Sequence, residues 1–111
     1  MWELYYQGEK WLTLHEMNSF ISRFRGYMAR NLEDVEEGLW FPDCTTLHTF
    51  FMRFNLDIYF LDGDHKIVAV NSNVTSGRFV SKWGADSALE IPAGSRPLVK
   101  VGETLEFVPC P

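Results

Sequence analysis

The sequence predicts a single mainly-β domain, a β-sandwich or partly open barrel of about eight short strands with one amphipathic helix. Short apolar and aromatic stretches recur along the chain, and Gly, Pro, Asn and Asp separate them, which is typical of strands joined by turns. Helical periodicity is clear in one stretch. The 111 residues contain no internal repeat and no linker, so we expect one domain over residues 1–111.

The first two strands are predicted to form a hairpin over residues 2–15. Residues 2–6 and 11–15 are short and rich in aromatic side chains. The four residues between them include Gly8, which suits a tight turn.

The helix is predicted over about residues 19–29 from the spacing of its apolar side chains. Either Asn18 or Ser19 would serve as its N-cap, while a capping box at residues 13–16 would begin it earlier. The acidic connector that follows, residues 31–38, is expected to be solvated surface. The apolar stripe recurs at i, i+1, i+4, i+7 and i+8 and consists of Phe20, Ile21, Phe24, Tyr27 and Met28.

The remaining strands are predicted to build a β core over residues 39–108. The stretch 47–61 has ten apolar residues among fifteen and should cross the middle of the core, with a bulge or bend at Asn55. The other predicted strands are short, and turn residues bound them. They are residues 39–41, 66–70, 78–80, 88–91 and 104–108.

The charge balance limits the classes of partner. Ten basic against fifteen acidic residues give a net charge of -5, which argues against general binding to nucleic acid or to anionic membranes, although a local basic patch remains compatible with it. No signal peptide precedes the first strand and no stretch suits membrane insertion, so a cytoplasmic protein is expected.

Cysteine and histidine usage predicts no metal and no cofactor. Two cysteines, Cys44 and Cys110, are too few for a disulfide scaffold, and reduced thiols are expected in a cytoplasm. A single disulfide between them is the alternative. The three histidines are scattered, whereas a zinc site needs three or four ligands.

Candidate binding residues lie where polar groups enter the most apolar stretch. Buried polar groups are costly unless they are partnered, which draws attention to His48, Thr49, Arg53 and Asp57. On a regular strand Thr49, Arg53 and Asp57 would share one face. Arg53 would then either pair with Asp57 to orient the sheet, pair separately from it with another group, or present its fork to an anionic ligand. Arg25, near the apolar stripe of the helix, completes the candidate set.

These residues favour a non-catalytic binding or accessory module over an enzyme. The chain has no phosphate-binding glycine loop, serine elbow or zinc-protease motif. The alternative is a small enzyme that uses His48 with Cys44 or Asp57. The expected partner is a small anionic ligand or a protein, with no nucleic acid, and the expected state is a monomer or weak dimer.

Three ordered motifs resemble a prokaryotic family, number 192 among the domains of unknown function. They are RGYMAR at residues 25–30, HTFFMRFNLDIYFLD at 48–62 and ALEIPAG at 88–94. The chain departs from the family pattern at Phe51, where Gly is usual, at Asn55, where Pro is usual, and in a shortened stretch between residues 94 and 102. The resemblance implies a compact mainly-β domain, sometimes exported in relatives, with no established activity or cofactor.

Overall fold

The structure, a computed structural model, describes residues 1–17 and 38–111 and contains nine strands in those ranges. The predicted helix at 19–29, Arg25 and most of the acidic connector lie outside the described residues. The strands are β1 Trp2–Tyr6, β2 Glu9–Glu16, β3 Gly38–Pro42, β4 Thr46–His48, β5 Leu56–Leu61, β6 Ile67–Val74, β7 Phe79–Ser81, β8 Ser87–Pro92 and β9 Glu106–Pro109.

Seven strands form one sheet in the order β6-β5-β8-β3-β2-β1-β9. Neighbours run antiparallel except β2 and β3, which are parallel. The sheet does not close into a barrel, although an isolated bridge joins Lys66 to Thr104 next to its two end strands. The mainly-β prediction is confirmed. The second sheet has only β4 and β7, so the molecule is not a sandwich of two comparable sheets.

The hairpin of β1 and β2 forms as predicted. Tyr6 pairs with Glu9, which leaves Gln7 and Gly8 as a two-residue turn. Both turn residues have positive φ, 52° and 80°, as hairpin turns of type I′ require. Gly8 supplies this conformation without strain, and the backbone twist of the turn matches that of its strands.

The core lies on both faces of the large sheet, because β5 and β8 are buried along their whole length. One face buries Leu4, Leu12, Leu14, Tyr59, Leu61 and Leu89, while the other buries Leu39, Phe41, Leu56, Ile58, Phe60 and Ala88. A strand with apolar neighbours on both sides reads as a continuous hydrophobic run, which explains the composition of residues 56–61.

The prediction of one strand crossing the core over residues 47–61 is wrong. β4 leaves the main sheet to pair with β7, and the chain then turns at Phe51, where φ is 63°. The Met52 amide donates to the Thr49 carbonyl across this turn at 3.4 Å. The chain rejoins the main sheet at Leu56, directly after Asn55, where a bulge or bend was expected. Apolar content alone did not reveal the turn, because the turn itself is apolar.

The strand predicted at residues 66–70 is longer than expected, since β6 extends to Val74. The short strand predicted at residues 78–80 is present as β7. In the described ranges no helix has the length and apolar character needed to span a membrane.

Candidate functional site

Thr49 links the end of β4 to the loop after β6 through hydrogen bonds. Its side chain is fully buried, its hydroxyl donates to the Thr75 carbonyl at 2.7 Å, and it accepts from the Arg78 amide at 2.9 Å. The Thr49 carbonyl also accepts from the Ser76 hydroxyl and the Gly77 amide. The hydroxyl is therefore committed to the backbone.

Asp57, at the start of β5, forms a second link of this kind. One carboxylate oxygen accepts from the Asn73 amide at 2.8 Å, and the other accepts from the Gly94 amide at 3.2 Å. Two backbone amides thus satisfy this buried carboxylate and the Arg53 side chain is exposed, so Asp57 does not need Arg53 as a partner, and the pairing of the two residues stays a prediction. The strand parity that suggested the pair fails at the turn of Phe51.

His48 stacks on Phe50 at the end of β4, with 5.6 Å between ring centroids. Its Nδ1 accepts a hydrogen bond of 3.3 Å from the Phe50 amide. The Cys44 thiol donates to the Thr46 carbonyl at 3.2 Å, and both cysteines are free. The thiol and the Asp57 carboxylate thus both bond to backbone groups. In the described ranges no three His, Cys, Asp or Glu side chains gather as a metal site.

A groove with a volume of about 530 Å³ is lined by polar groups that, unlike those of Thr49 and Asp57, retain capacity for a ligand. The β1–β2 hairpin forms one wall, and the loop between β8 and β9 forms the other. Tyr6, Lys10, Trp11, Arg96 and Leu98 are the lining residues on which its chemistry depends.

Arg96 is held in place by the backbone on both sides of its guanidinium. Nε donates to the Trp11 carbonyl at 2.9 Å, and Nη1 donates to the carbonyl of Ser95 at 2.8 Å. An arginine has five N–H donors in a planar fork, so three donors remain after these bonds. They include both donors of Nη2. The cation is thus positioned before any ligand binds.

We call the ring of Trp11, which lines the groove, its aromatic floor. Trp11 packs edge to face on Tyr59, with 5.4 Å between ring centroids. The Tyr59 hydroxyl accepts from the Val99 amide at 3.1 Å, which ties the second wall to the core. Burial raises the pKa of Tyr59 above its usual range, so the phenol stays protonated and neutral.

Sequence reasoning missed this groove. Trp11 and Arg96 are 85 residues apart, and no local pattern indicates that they meet. The available signal was Arg96 itself, a cation between turn residues Gly94 and Pro97 in a loop.

Two comparisons with known proteins point to the same family. The profile of DUF192, described as an uncharacterised ACR, matches residues 4–107. A UPF0127 protein of Pyrococcus abyssi is 33% identical over an alignment of 99 residues, and the match covers 82% of this chain and 82% of that protein.

Two crystal structures share the fold. A protein of unknown function from Novosphingobium aromaticivorans superposes with a TM-score of 0.77 at 22% identity, covering 95% of this chain and 82% of that one. A protein from Sinorhizobium meliloti, named as a candidate transcription regulator, gives a TM-score of 0.80 at 22% identity, with 96% and 91% covered. At this identity the likeness concerns the fold alone.

Proposed function

The chain belongs to the DUF192 family of uncharacterised domains, and within that family we propose that it is a non-catalytic binding domain for a small anionic ligand with a planar apolar part. The ligand occupies the groove between the β1–β2 hairpin and the β8–β9 loop. This proposal concerns the groove and keeps the earlier expectation of a small anionic partner.

The observation that carries the proposal is the anchored guanidinium of Arg96. Two backbone carbonyls orient it, and its remaining N–H donors suit a carboxylate or phosphate in bidentate geometry. Such preorganisation lowers the entropy cost of binding, because the side chain is already ordered. Lys10 adds a second cation to the lining, where Glu9 is the carboxylate, and its ammonium also lies 4.0 Å from the Glu3 carboxylate.

The aromatic lining supports a planar ligand. Tyr6 and Trp11 are half-buried, so each keeps ring surface that a ligand can cover. The groove volume of about 530 Å³ falls within the range of small-molecule sites. The described lining contains no Cys, His or Ser, so the chemistry present suits holding a ligand.

The proposal also includes the setting expected from the sequence. Two free cysteines support a reducing compartment, so we place the domain in the cytoplasm as a monomer or weak dimer. The apolar spacing of residues 20–28 supports one amphipathic helix there. Arg25, His48 and Arg53 stay secondary binding candidates, while Thr49 and Asp57 act in positioning the surrounding loops.

Titration with phenyl phosphate, followed by NMR, tests the groove. We expect the Trp11 indole and the Arg96 Nε–H to shift, with a dissociation constant on the order of millimolar for so small a probe. Inorganic phosphate should bind more weakly, because it leaves the aromatic floor uncovered. Arg96→Lys keeps the charge but removes the fork, and it should weaken binding about tenfold.

Lys10→Gln tests the second cation without disturbing the Arg96 anchors, and Lys100→Gln is the matched control for an exposed lysine outside the groove. Lys10→Gln should weaken binding and Lys100→Gln should not. Equal affinity for Arg96→Lys and the unmodified protein, or shifts confined to other surfaces, would reject the proposed site.

A further inference from the structure

Strand β2 contains a bulge at Trp11, in the hairpin wall of the groove. The register of β1 against β2 shifts between Leu4 and Tyr5, and this shift skips Trp11 on β2. A bulged residue has no cross-strand partner, which leaves its backbone groups for other contacts. The Trp11 carbonyl accepts from Arg96 Nε at 2.9 Å. The bulge thus builds the anchor of Arg96 into the hairpin.

Glu9 brings a carboxylate to the same wall of the groove. Glu9 and Tyr6 are cross-strand partners beside the turn, so their side chains lie on the same face of the hairpin. Tyr6 packs against the core cluster that includes Tyr59, and Trp11 packs edge to face on Tyr59. Glu9, Tyr6 and Trp11 all line the groove.

The Glu9 carboxylate is available to a ligand. It is exposed, and in the part of the chain that the structure describes it forms neither an ion pair nor a side-chain hydrogen bond. The neighbouring Lys10 lies 4.0 Å from the Glu3 carboxylate instead. The groove therefore presents two opposite charges that do not pair with each other, the fork of Arg96 and the carboxylate of Glu9.

This pair of charges favours a ligand that carries both signs. A ligand with an anionic group alone would be attracted by Arg96 but repelled by Glu9 and, at long range, by the net charge of -5. A ligand with a carboxylate and an ammonium has no net charge, and each of its groups meets an opposite charge in the groove.

The loop wall of the groove adds apolar surface. Leu98 lies in the loop between β8 and β9, lines the groove and is 53% exposed. The next residue, Val99, is buried and donates its amide to the Tyr59 hydroxyl at 3.1 Å, which ties this wall to the core. An aromatic ring against Leu98 and the aromatic floor would remove apolar surface from water.

We propose that the ligand of this groove is a free aromatic amino acid. Its carboxylate binds Arg96, its ammonium binds Glu9, and its ring lies against Trp11. This inference rests on the proposed function and names the chemical class of the ligand, whose anionic group is a carboxylate with an ammonium beside it. A peptide end offers its terminal residue only one of these two charges, so the free amino acid fits the groove better than a peptide.

Titration of the full chain with three related probes, followed at the Trp11 indole and the Arg96 Nε–H by NMR, tests the inference. At about pH 7, L-phenylalanine should bind about threefold more tightly than 3-phenylpropanoate, which lacks the ammonium. Phenethylamine lacks the carboxylate and should bind at least about tenfold more weakly than L-phenylalanine. N-acetyl-L-phenylalanine, which resembles a peptide C-terminus, should bind like 3-phenylpropanoate.

Glu9→Gln should remove this preference, so that L-phenylalanine and 3-phenylpropanoate bind equally. Glu106→Gln, which changes an exposed glutamate outside the groove lining, is the matched control and should keep the threefold difference. Circular dichroism checks that both variants are folded.

The outcomes separate this inference from the proposed function. It is overturned alone if 3-phenylpropanoate or phenyl phosphate shifts the groove signals and L-phenylalanine binds no more tightly than 3-phenylpropanoate. A preference that survives Glu9→Gln also overturns it alone, because the ammonium then lies elsewhere. If none of the probes, phenyl phosphate included, shifts the Trp11 and Arg96 signals, both the inference and the proposed function fail.

Discussion

At the scale of single residues, Glu90 is the side chain whose environment differs most from its usual one. It lies in the middle of β8, opposite Leu39 on β3 and Ile58 on β5, and is only 3% exposed. Burial raises the pKa of this carboxyl to about 8. The sequence marks residues 88–91 as a strand but does not reveal that its glutamate faces a buried surface, because that depends on what covers the sheet.

This pKa predicts a specific pH dependence of stability. The carboxyl ionises near 4.5 in the unfolded chain and near 8 in the folded chain, so the unfolded state loses its proton first as the pH rises. The contribution of Glu90 to stability therefore falls between about pH 4.5 and about pH 8. Glu90→Gln should remove this slope, so the stability of the variant relative to the unmodified protein should rise by about 3 to 4 kcal/mol from about pH 5 to about pH 8.

Urea unfolding at several pH values measures this difference. Glu106→Gln, which changes an exposed glutamate on β9, is the control and should leave the slope in place. If the curves of Glu90→Gln and the unmodified protein stay parallel over this range, Glu90 is ionised in the fold and the argument fails.

At the scale of secondary-structure elements, Asp57 joins β5 to the end of β6 and to the loop after β8. Asp57→Ala would leave the amides of Asn73 and Gly94 without their acceptor, at about 1 to 3 kcal/mol for each hydrogen bond to the charged carboxylate. Arg53→Met should cost less than about 1 kcal/mol, because Arg53 is exposed. Thermal unfolding of both variants gives the comparison. A larger loss of stability for Arg53→Met than for Asp57→Ala would instead support the ion pair between Arg53 and Asp57 that strand parity suggested.

Thr49 fixes the loop between β6 and β7 in the same way. Thr49→Val keeps the shape of the side chain but removes the hydroxyl that bonds to Thr75 and Arg78. We expect a loss of about 1 to 3 kcal/mol and faster hydrogen exchange at the Arg78 amide. Thr46→Val is the control, since that hydroxyl is exposed. Unchanged exchange at Arg78 would show that the loop is held by its backbone bonds alone.

The order of the elements was largely predictable from local signals. The hairpin at Gly8, the ends of β3 at Pro42 and of β8 at Pro92, and the last strand all carry their own turn residues. The division of residues 47–61 between two sheets was not predictable, because Phe51 takes a positive φ that no local signal indicates. Tertiary contacts of Thr49 with the loop after β6 hold that turn instead.

At the scale of the whole molecule, the groove that we propose as the ligand site depends on contacts between residues far apart in the sequence, and the sequence does not reveal these contacts. The polar residues Thr49 and Asp57 stand out in an apolar stretch, and their hydrogen bonds hold loops together. The groove instead arises where Arg96 reaches the carbonyl of Trp11, across 85 residues. Local sequence patterns show which polar residues lie in apolar stretches. Only the fold shows which polar residues keep hydrogen-bond donors or acceptors for a ligand.

The central claim is that Arg96 and Trp11 form a ligand site, and a crystal structure of the protein with phenyl phosphate tests it most directly. The phosphate should lie within hydrogen-bond distance of Arg96 Nη2, at about 2.7 to 2.9 Å, with the phenyl ring against Trp11. A crystal of the Arg96→Lys variant soaked in the same way should show no phenyl phosphate in the groove. Phenyl phosphate bound at another surface, with the groove empty in the unmodified protein, would contradict the claim.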